Sequence, residues 1–515
     1  MPPQPDFSAP EDLSGPAVRT ATALIDGAQG EVTCEDRPVN SGPDVRADPA
    51  TTPVAPQPNT VVKAARQEKV LPISGFPEYL PADRIVEQRF LDVIRETFEL
   101  HGFSSIETRS IEPIDRLSAQ GEDTDKEIYA VSRLAGGDSS DDDTRWGLHF
   151  DLTVPFARYV LENAGKLDFP FRRYQIQKAW RGERPQEGRY REFTQADIDV
   201  VDVGELSAHF EAEIPLVVAD VFRRFPVGEF EIQVNNRKIP EGIYRAVGLD
   251  ESVGVIETLR IVDKLDKIGP DKVHLMLLEA GASDAQAATA LSLAEIRTPD
   301  LSFVEQVRAL GVSHPVLDQG LAALAEVIRA GMEHAPGRIV ADLRIARGLD
   351  YYTGTVYETQ LLGHESWGSL CSGGRYDSLA SDGRTTYPGV GISIGVSRIL
   401  GLLLGKGLVA ASRSTPAAVL VALNTDDDHP RSTAVAATLR QRGIPCEVAP
   451  TAAKFGKQIR YAARRGIPYV WFPGGDRDTG GDAVKDIRSG DQTAAEAATW
   501  TCPPADLRPA VARAP

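Results

Sequence analysis

Four arginines crowd the stretch Arg181-Gly-Glu-Arg-Pro-Gln-Glu-Gly-Arg-Tyr-Arg191. Arginine suits phosphate because its planar fork donates two parallel hydrogen bonds to oxygens. A solvated, charged hairpin tip would have the same composition, so the loop alone leaves both readings open. The run after it sharpens the case. Period-2 alternation puts Ala196, Ile198 and Val200 on one face of a strand and Gln195, Asp197 and Asp199 on the other. A polar second face either meets water or binds a ligand.

Three more clusters carry chemistry. Phe150-Asp151-Leu152-Thr153 runs into Val154-Pro155 and an apolar helix at 156–161. Thr153 suits the cap of that helix and Pro155 its first turn, whereas Asp151 precedes the cap. Arg347-Gly-Leu-Asp-Tyr-Tyr-Thr-Gly354 combines one arginine, two tyrosines and two glycines that permit close backbone approach. In an extended segment Tyr351 and Tyr352 would face opposite ways, one toward core and one toward a pocket. Cys371-Ser-Gly-Gly-Arg-Tyr-Asp377 is followed by Gly389-Val-Gly-Ile-Ser-Ile-Gly-Val-Ser-Arg398, a glycine-spaced strand running into a helix near Arg398. The spacing is not GxGxxG, and the glycines suggest a flat ligand lying on the strand. No GxxxxGK[ST] segment occurs, which sets aside a P-loop nucleotide site.

These side chains need a scaffold. Val86, Phe90, Ile94 and Phe98 form a helical stripe across 83–100, ended by Gly102. Strands are expected at 103–111, 148–152, 171–181 and 193–201, without the strand-helix alternation of a parallel sheet. An antiparallel sheet flanked by helices fits better. From about 245 to 332 the sequence turns helical, with alanine-rich stretches at 280–293 and 321–330. Strand character returns at 351–362 and 390–394, as though a helical insertion interrupted one sheet. After 405–414 the pattern becomes apolar run, helix, apolar run (418–423, 429–443, 446–448, 457–465, 469–472). That rhythm predicts a separate small α/β domain joined near residue 412.

The bulk composition agrees. A chain of 515 residues exceeds one hydrophobic core, and 42% hydrophobic with 25% charged residues is that of a soluble globular protein. No apolar run approaches the ~18 residues of a membrane span, and the N-terminus lacks a basic-then-apolar leader, so a cytoplasmic protein without membrane contact is expected. Cys34, Cys371, Cys446 and Cys502 form no CxxC pair, so neither disulfides nor a structural zinc site is expected. A net charge of -18 argues against indiscriminate nucleic-acid binding, but allows a local basic groove. Residues 1–60 are rich in Pro, Ala, Asp and Thr without apolar periodicity and are expected to be disordered. Order should start near Val70, and the acidic stretch 137–143 reads as a solvated loop.

Together and in this order, the blocks resemble the class II aminoacyl-tRNA synthetases and, within them, the histidyl-tRNA synthetase family, over about residues 70–500. The most specific element is Arg347-Gly-Leu-Asp-Tyr-Tyr352; 171–199 and 389–398 resemble the second and third motifs of the wider class. Lys454-Phe-Gly-Lys-Gln-Ile-Arg460 and Val484-Lys-Asp-Ile-Arg488 resemble parts of the family's anticodon-binding domain. The resemblance implies an α+β fold: an N-terminal extension (1–68), an antiparallel-sheet catalytic domain (69–408, insertion at about 245–332) and an α/β anticodon-binding domain (415–505). It implies a ligase that joins L-histidine to ATP, releases pyrophosphate, and passes the histidyl group to the 3′ end of tRNA(His). A homodimer is implied, with Mg²⁺ on the ATP phosphates and no metal held by the protein itself.

The resemblance also implies residue roles. Arg181 would hold the α-phosphate, Arg398 the γ-phosphate, and Arg189 the phosphate tail or the tRNA terminus, with Glu183 and Phe193 completing the ATP site. Arg347 would act beside Arg181 in catalysis, set against the reacting carboxylate and α-phosphate. Asp151, Thr153 and Gln195 would bind the histidine α-amino group, Asp199 and Tyr352 the imidazole, with Tyr351 alongside. Arg109 stands where the family's first motif, a dimer element, has proline. Asp151 and Asp199 are shorter than the glutamates of many bacterial members and resemble the eukaryote-like branch. A regulatory paralogue would lack the C-terminal domain and degrade the arginine-tyrosine signature, and both are present here. An RNA-binding protein keeping only the fold would not need arginines in three separate blocks.

Overall fold

The computed structural model describes residues 71–118, 126–133, 145–345, 351–475 and 480–513. The expected disordered extension, its boundary at Val70, the acidic stretch 137–143 and Arg347 lie outside them.

Helix α1 (Pro81–Leu100) forms where the apolar stripe runs, and buries Val86, Phe90, Ile94 and Phe98. Among the described residues the largest sheet has nine strands. In chain order they are β1 (Ser104–Ser105), β2 (Phe171–Trp180), β3 (Glu192–Val201), β4 (Phe230–Asn236), β5 (Arg297–Thr298), β6 (Ile339–Asp342), β7 (Thr355–Leu361), β8 (Cys371–Tyr376) and β9 (Gly389–Gly395). Their spatial order is β1-β2-β3-β9-β8-β7-β4-β6-β5. The run from β2 to β4 is antiparallel throughout. Parallel pairs occur only towards the edges, β1 on β2 and β4 on β6.

One face of this sheet makes the core. Ala196, Ile198 and Val200 of β3, Ile232 and Val234 of β4, and Val390, Ile392 and Ile394 of β9 pack against α1, α3 (His209–Arg224) and α4 (Val396–Gly405). Each such fully buried aliphatic or aromatic side chain contributes about 1.5–3 kcal/mol. The core therefore holds the sheet, and the opposite face is free to carry polar groups. The second helix, α2 (Thr153–Asn163), lies with Phe156, Ala157 and Val160 in a smaller cluster with Tyr376 and Tyr387.

The helical stretch begins at Lys238–Ala246 and ends at Pro315–His334. Its Val273, Leu277, Leu293 and Phe303 belong to the same core as the sheet. It is interrupted by β5, which pairs with β6 at the sheet edge.

Three expected strands are shorter than their sequence patterns. Between β1 and Ile111–Pro113 the ladder breaks because side-chain amides take its place: Gln175 donates to Thr108 Oγ1 (2.9 Å) and Gln177 to the Thr108 carbonyl (2.9 Å). Residues 149–152 are not strand; strand ends at Leu148, and Arg181 Nε donates to the Phe150 carbonyl (3.0 Å). In 351–362 only β7 is strand, although the Thr353 amide still donates to the Arg375 carbonyl of the neighbouring β8 (2.8 Å). At Arg109 the side chain donates to buried Glu112 (3.1 Å), whose other oxygen is held by Arg158 (2.6 Å).

The C-terminal part is mixed α/β, with sheet order β11-β10-β12-β13-β14 for β10 (Val419–Val421), β11 (Cys446–Val448), β12 (Tyr469–Phe472), β13 (Ala483–Asp486) and β14 (Gln492–Ala494). The first three are parallel, linked by the crossover helices α5 (His429–Gln441) and α6 (Phe455–Arg465) as the alternating pattern predicts. The last two return antiparallel. Among the described residues Cys371, Cys446 and Cys502 are free thiols, and no helix is long and apolar enough to cross a membrane.

Candidate active site

The polar face of β3 opens into a pocket lined by Asp151, Thr153, Arg181, Gln195, Asp197, Asp199, and the residues Tyr351, Tyr352, Ser372, Tyr376 and Ser393 of later strands and loops. Strand β3 places three of these by alternation alone. The registers of its neighbours complete the set: Arg173, Gln175 and Gln177 of β2 stand opposite Asp199, Asp197 and Gln195, and Gly391 and Ser393 of β9 stand opposite Asp199 and Asp197.

Asp199 is the best-partnered carboxylate. Fully buried Arg173 meets its Oδ2 at 2.7 Å, and the Tyr376 hydroxyl donates to its Oδ1 at 2.8 Å. Arg173 lies 4.2 Å over the Phe156 ring, which fixes the guanidinium plane. Asp151 sits ahead of α2, where its Oδ1 accepts the Val154 amide at 3.1 Å. The side-chain cap thus comes from Asp151, not from Thr153, which lines the pocket. Burial pushes Asp151 and Asp199 up to about 6, and Asp197 up to about 7, against the pull of Arg173. Three carboxylates crowded at this depth want a cation.

Tyr351 and Tyr352 do not point apart, because 351–354 is not extended. Both line the pocket, with ring centroids 4.6 Å apart. The glycines have a nearer reason than a flat ligand. A β-carbon at Gly391 would fall 2.1 Å from Asp199 Oδ1, and one at Gly374 would fall 2.8 Å from the Tyr352 ring. They leave room for the site's own side chains.

The other expected residues lie toward one end of β3. Arg181 reaches the pocket and stacks 5.2 Å from the Phe193 ring centroid. Across the loop Arg189 pairs with Glu183 at 3.5 Å. Arg398 opens α4 and donates to the Trp367 carbonyl, and a β-carbon at Gly188 in the loop would come 3.5 Å from Arg398 Cγ. Glu183, Arg189, Phe193 and Arg398 are therefore neighbours of the pocket and not part of its lining. Arg347 cannot be placed among them, being outside the described residues. Nothing local in the sequence assigns a role to Arg173, Asp197, Tyr376 or Ser393. Their signal was present only as alternation on strands whose register it could not supply.

An antiparallel sheet with one apolar and one carboxylate-bearing face, arginines at the strand ends, and a C-terminal mixed α/β sheet together define a class II aminoacyl-tRNA synthetase. Residues 75–399 match the family model described as histidyl-tRNA synthetase, and residues 417–498 match the anticodon binding domain. The chain is 59% identical to a histidine–tRNA ligase of Micrococcus luteus, over 86% of this chain and 98% of that one. It is 56% identical to one of Cutibacterium acnes, over 86% and 99%. A crystal structure of histidyl-tRNA synthetase from Nostoc sp. PCC 7120 superposes with a TM-score of 0.75 at 34% identity, covering 83% of this chain and 97% of that one. The chain belongs to the histidyl-tRNA synthetase family.

Proposed function

We infer that the chain is a histidine–tRNA ligase. It activates L-histidine with ATP to histidyl-adenylate, releasing pyrophosphate, and transfers the histidyl group to the 3′ end of tRNA(His). Beyond kinship, one observation carries the reading: the buried carboxylates of β3 and Asp151 share a pocket with Arg181, so an acidic slot adjoins a phosphate-binding cation.

The reaction needs no side-chain nucleophile. An oxygen of the substrate carboxylate attacks the α-phosphorus in line as pyrophosphate departs, so positioning and charge stabilisation supply the catalysis. Arg181, steadied by Phe193, faces the α-phosphate; Arg398 takes the γ-phosphate; Arg189, with Glu183, takes the phosphate tail or the tRNA terminus. Arg347 bridges the reacting carboxylate and α-phosphate. Asp151, Thr153 and Gln195 bind the α-amino group, and Asp199 and Tyr352 read the imidazole with Tyr351 beside them. Buried groups that must pair with ring N–H atoms reject apolar side chains by roughly 10⁴-fold or more.

Among the described residues no group of three His, Cys, Asp or Glu side chains could hold a metal ion. Mg²⁺ would accompany the ATP phosphates and neutralise their charge. Residues 69–408 carry activation and 415–505 read the anticodon, in a cytoplasmic homodimer. The test is histidine-dependent ATP–pyrophosphate exchange. Arg347→Ala should abolish exchange while the fold survives, and near-normal exchange in that variant removes Arg347 from the mechanism.

A further inference from the structure

Among the pocket's acceptors, two are left over. Asp197 is 2% exposed, and its Oδ1 has no hydrogen-bond partner; nor has Oε1 of Gln195, two residues earlier on the same strand face. A buried, unsatisfied carboxylate oxygen is costly unless a ligand completes it. The rest of Asp197 is held in place. Gln195 Nε2 donates to Ser393 Oγ at 2.7 Å, and Ser393 stands opposite Asp197 in the β9–β3 ladder. This arrangement leaves Asp197 Oδ1 without a partner.

Charge decides what that oxygen awaits. Asp199 already has a counter-ion in Arg173 and a hydroxyl donor in Tyr376. The Asp199–Arg173 pair is neutral overall and suits a neutral imidazole. Asp197 makes no direct contact with a cation: Arg173 attracts it from its place on Asp199, while Asp199 and Asp151 repel it. An amino acid's ammonium is a permanent cation at neutral pH with three donors to place. Asp197 Oδ1 and Gln195 Oε1 are two acceptors on one face, matched to two of those donors.

We propose that Asp197 is the counter-ion of the substrate's α-ammonium group, sharing it with Gln195. The proposal rests on the ligase reading and adds a substrate-binding residue to it. It makes the slot selective for a free α-amino group as well as for the ring.

The test is equilibrium binding of two probes to the full chain. L-Histidinol keeps the ammonium and the ring; imidazole-4-propionate keeps the ring and the carboxylate but has no ammonium. In Asp197→Asn, which retains the shape, histidinol affinity should fall by about 30-fold or more, as expected when one partner of a buried charge pair is removed. Imidazole-4-propionate should change by less than about 3-fold, the smaller change expected where no charge pair is broken. Asp197→Ala should show the same asymmetry. Equal weakening of both probes would assign Asp197 to the ring or to the fold, and no weakening of either would leave it without a role; each result overturns the proposal. Pyrophosphate exchange by the unaltered chain is measured alongside. Its absence would overturn the ligase reading itself, whereas intact exchange with a symmetric loss of both probes would overturn the proposal alone.

Discussion

Two clusters of charge, one buried and one half-exposed, show how a candidate binding site differs from a strut. In the C-terminal domain Arg488 is saturated. It donates to Asp486 (2.8 and 3.0 Å) and to Asp506 (2.8 and 2.9 Å), and Tyr469 donates to Asp506 at 2.7 Å. Its guanidinium beside Asp486 and Asp506 holds both carboxyls below their usual range. In the β3 pocket the balance is reversed. Asp151, Asp197 and Asp199 share Arg173 and Arg181, and burial pushes all three upward. In Val484 to Arg488, which resembles part of the family's anticodon-binding domain, the arginine ties β13 to the chain near Asp506. A satisfied network cements; a cluster left short of cations waits for one.

The comparison breaks most readily at the two arginines. Arg173→Met leaves a buried carboxylate without its partner and should cost about 3–5 kcal/mol in denaturant unfolding. Arg488→Met, at a half-exposed side chain, should cost about 1 kcal/mol. Equal losses would erase the distinction between the clusters.

A smaller effect is expected within the pocket. Asp199→Ala should raise the KM for histidine in pyrophosphate exchange by about 10- to 100-fold, the value of one charged hydrogen bond, with far less change for ATP. Parallel changes in both would remove Asp199 from the imidazole.

The smallest effect is in pH. Asp151 and Asp199 sit near about 6 and Asp197 near about 7, above the ordinary carboxylate value of about 4. Between those limits the empty folded site binds more protons than the unfolded chain, so its contribution to stability falls as pH rises. A bound ammonium favours the charged carboxylates, so stabilisation by histidine should instead grow with pH. The KM for histidine should rise about tenfold from pH 8 to pH 6, following one titrating group. In Asp197→Asn a shallower dependence should remain, from Asp151, Asp199 and the substrate's own imidazole, which titrate nearer pH 6. An unchanged profile in that variant would exclude Asp197 as the titrating group.

Much of the site was legible as periodicity. The alternation from Gln195 to Val200 separated core from pocket correctly, and the stripe of α1 and the α/β rhythm after residue 414 were equally plain. What was missed needed long-range facts. Arg173 reads as one more charged residue until register sets it opposite Asp199. Tyr376 is far from Asp199 in sequence, and only the path of β8 brings its hydroxyl there. Tyr351 and Tyr352 do not face opposite ways because they precede β7, where the alternation of a strand does not apply.

The sequence alone determined which residue types would meet: carboxylates on one strand face, hydrophobes on the other, arginines at the ends. These are encoded in neighbouring positions, where side-chain direction follows from backbone geometry. Tertiary structure decided which of those charges are neutralised. Pairing a carboxylate depends on strand register and on packing between segments far apart in the chain, and no local pattern records that. Asp199 and Asp197 are two residues apart and alike in type; the fold gives one a counter-ion and leaves the other open.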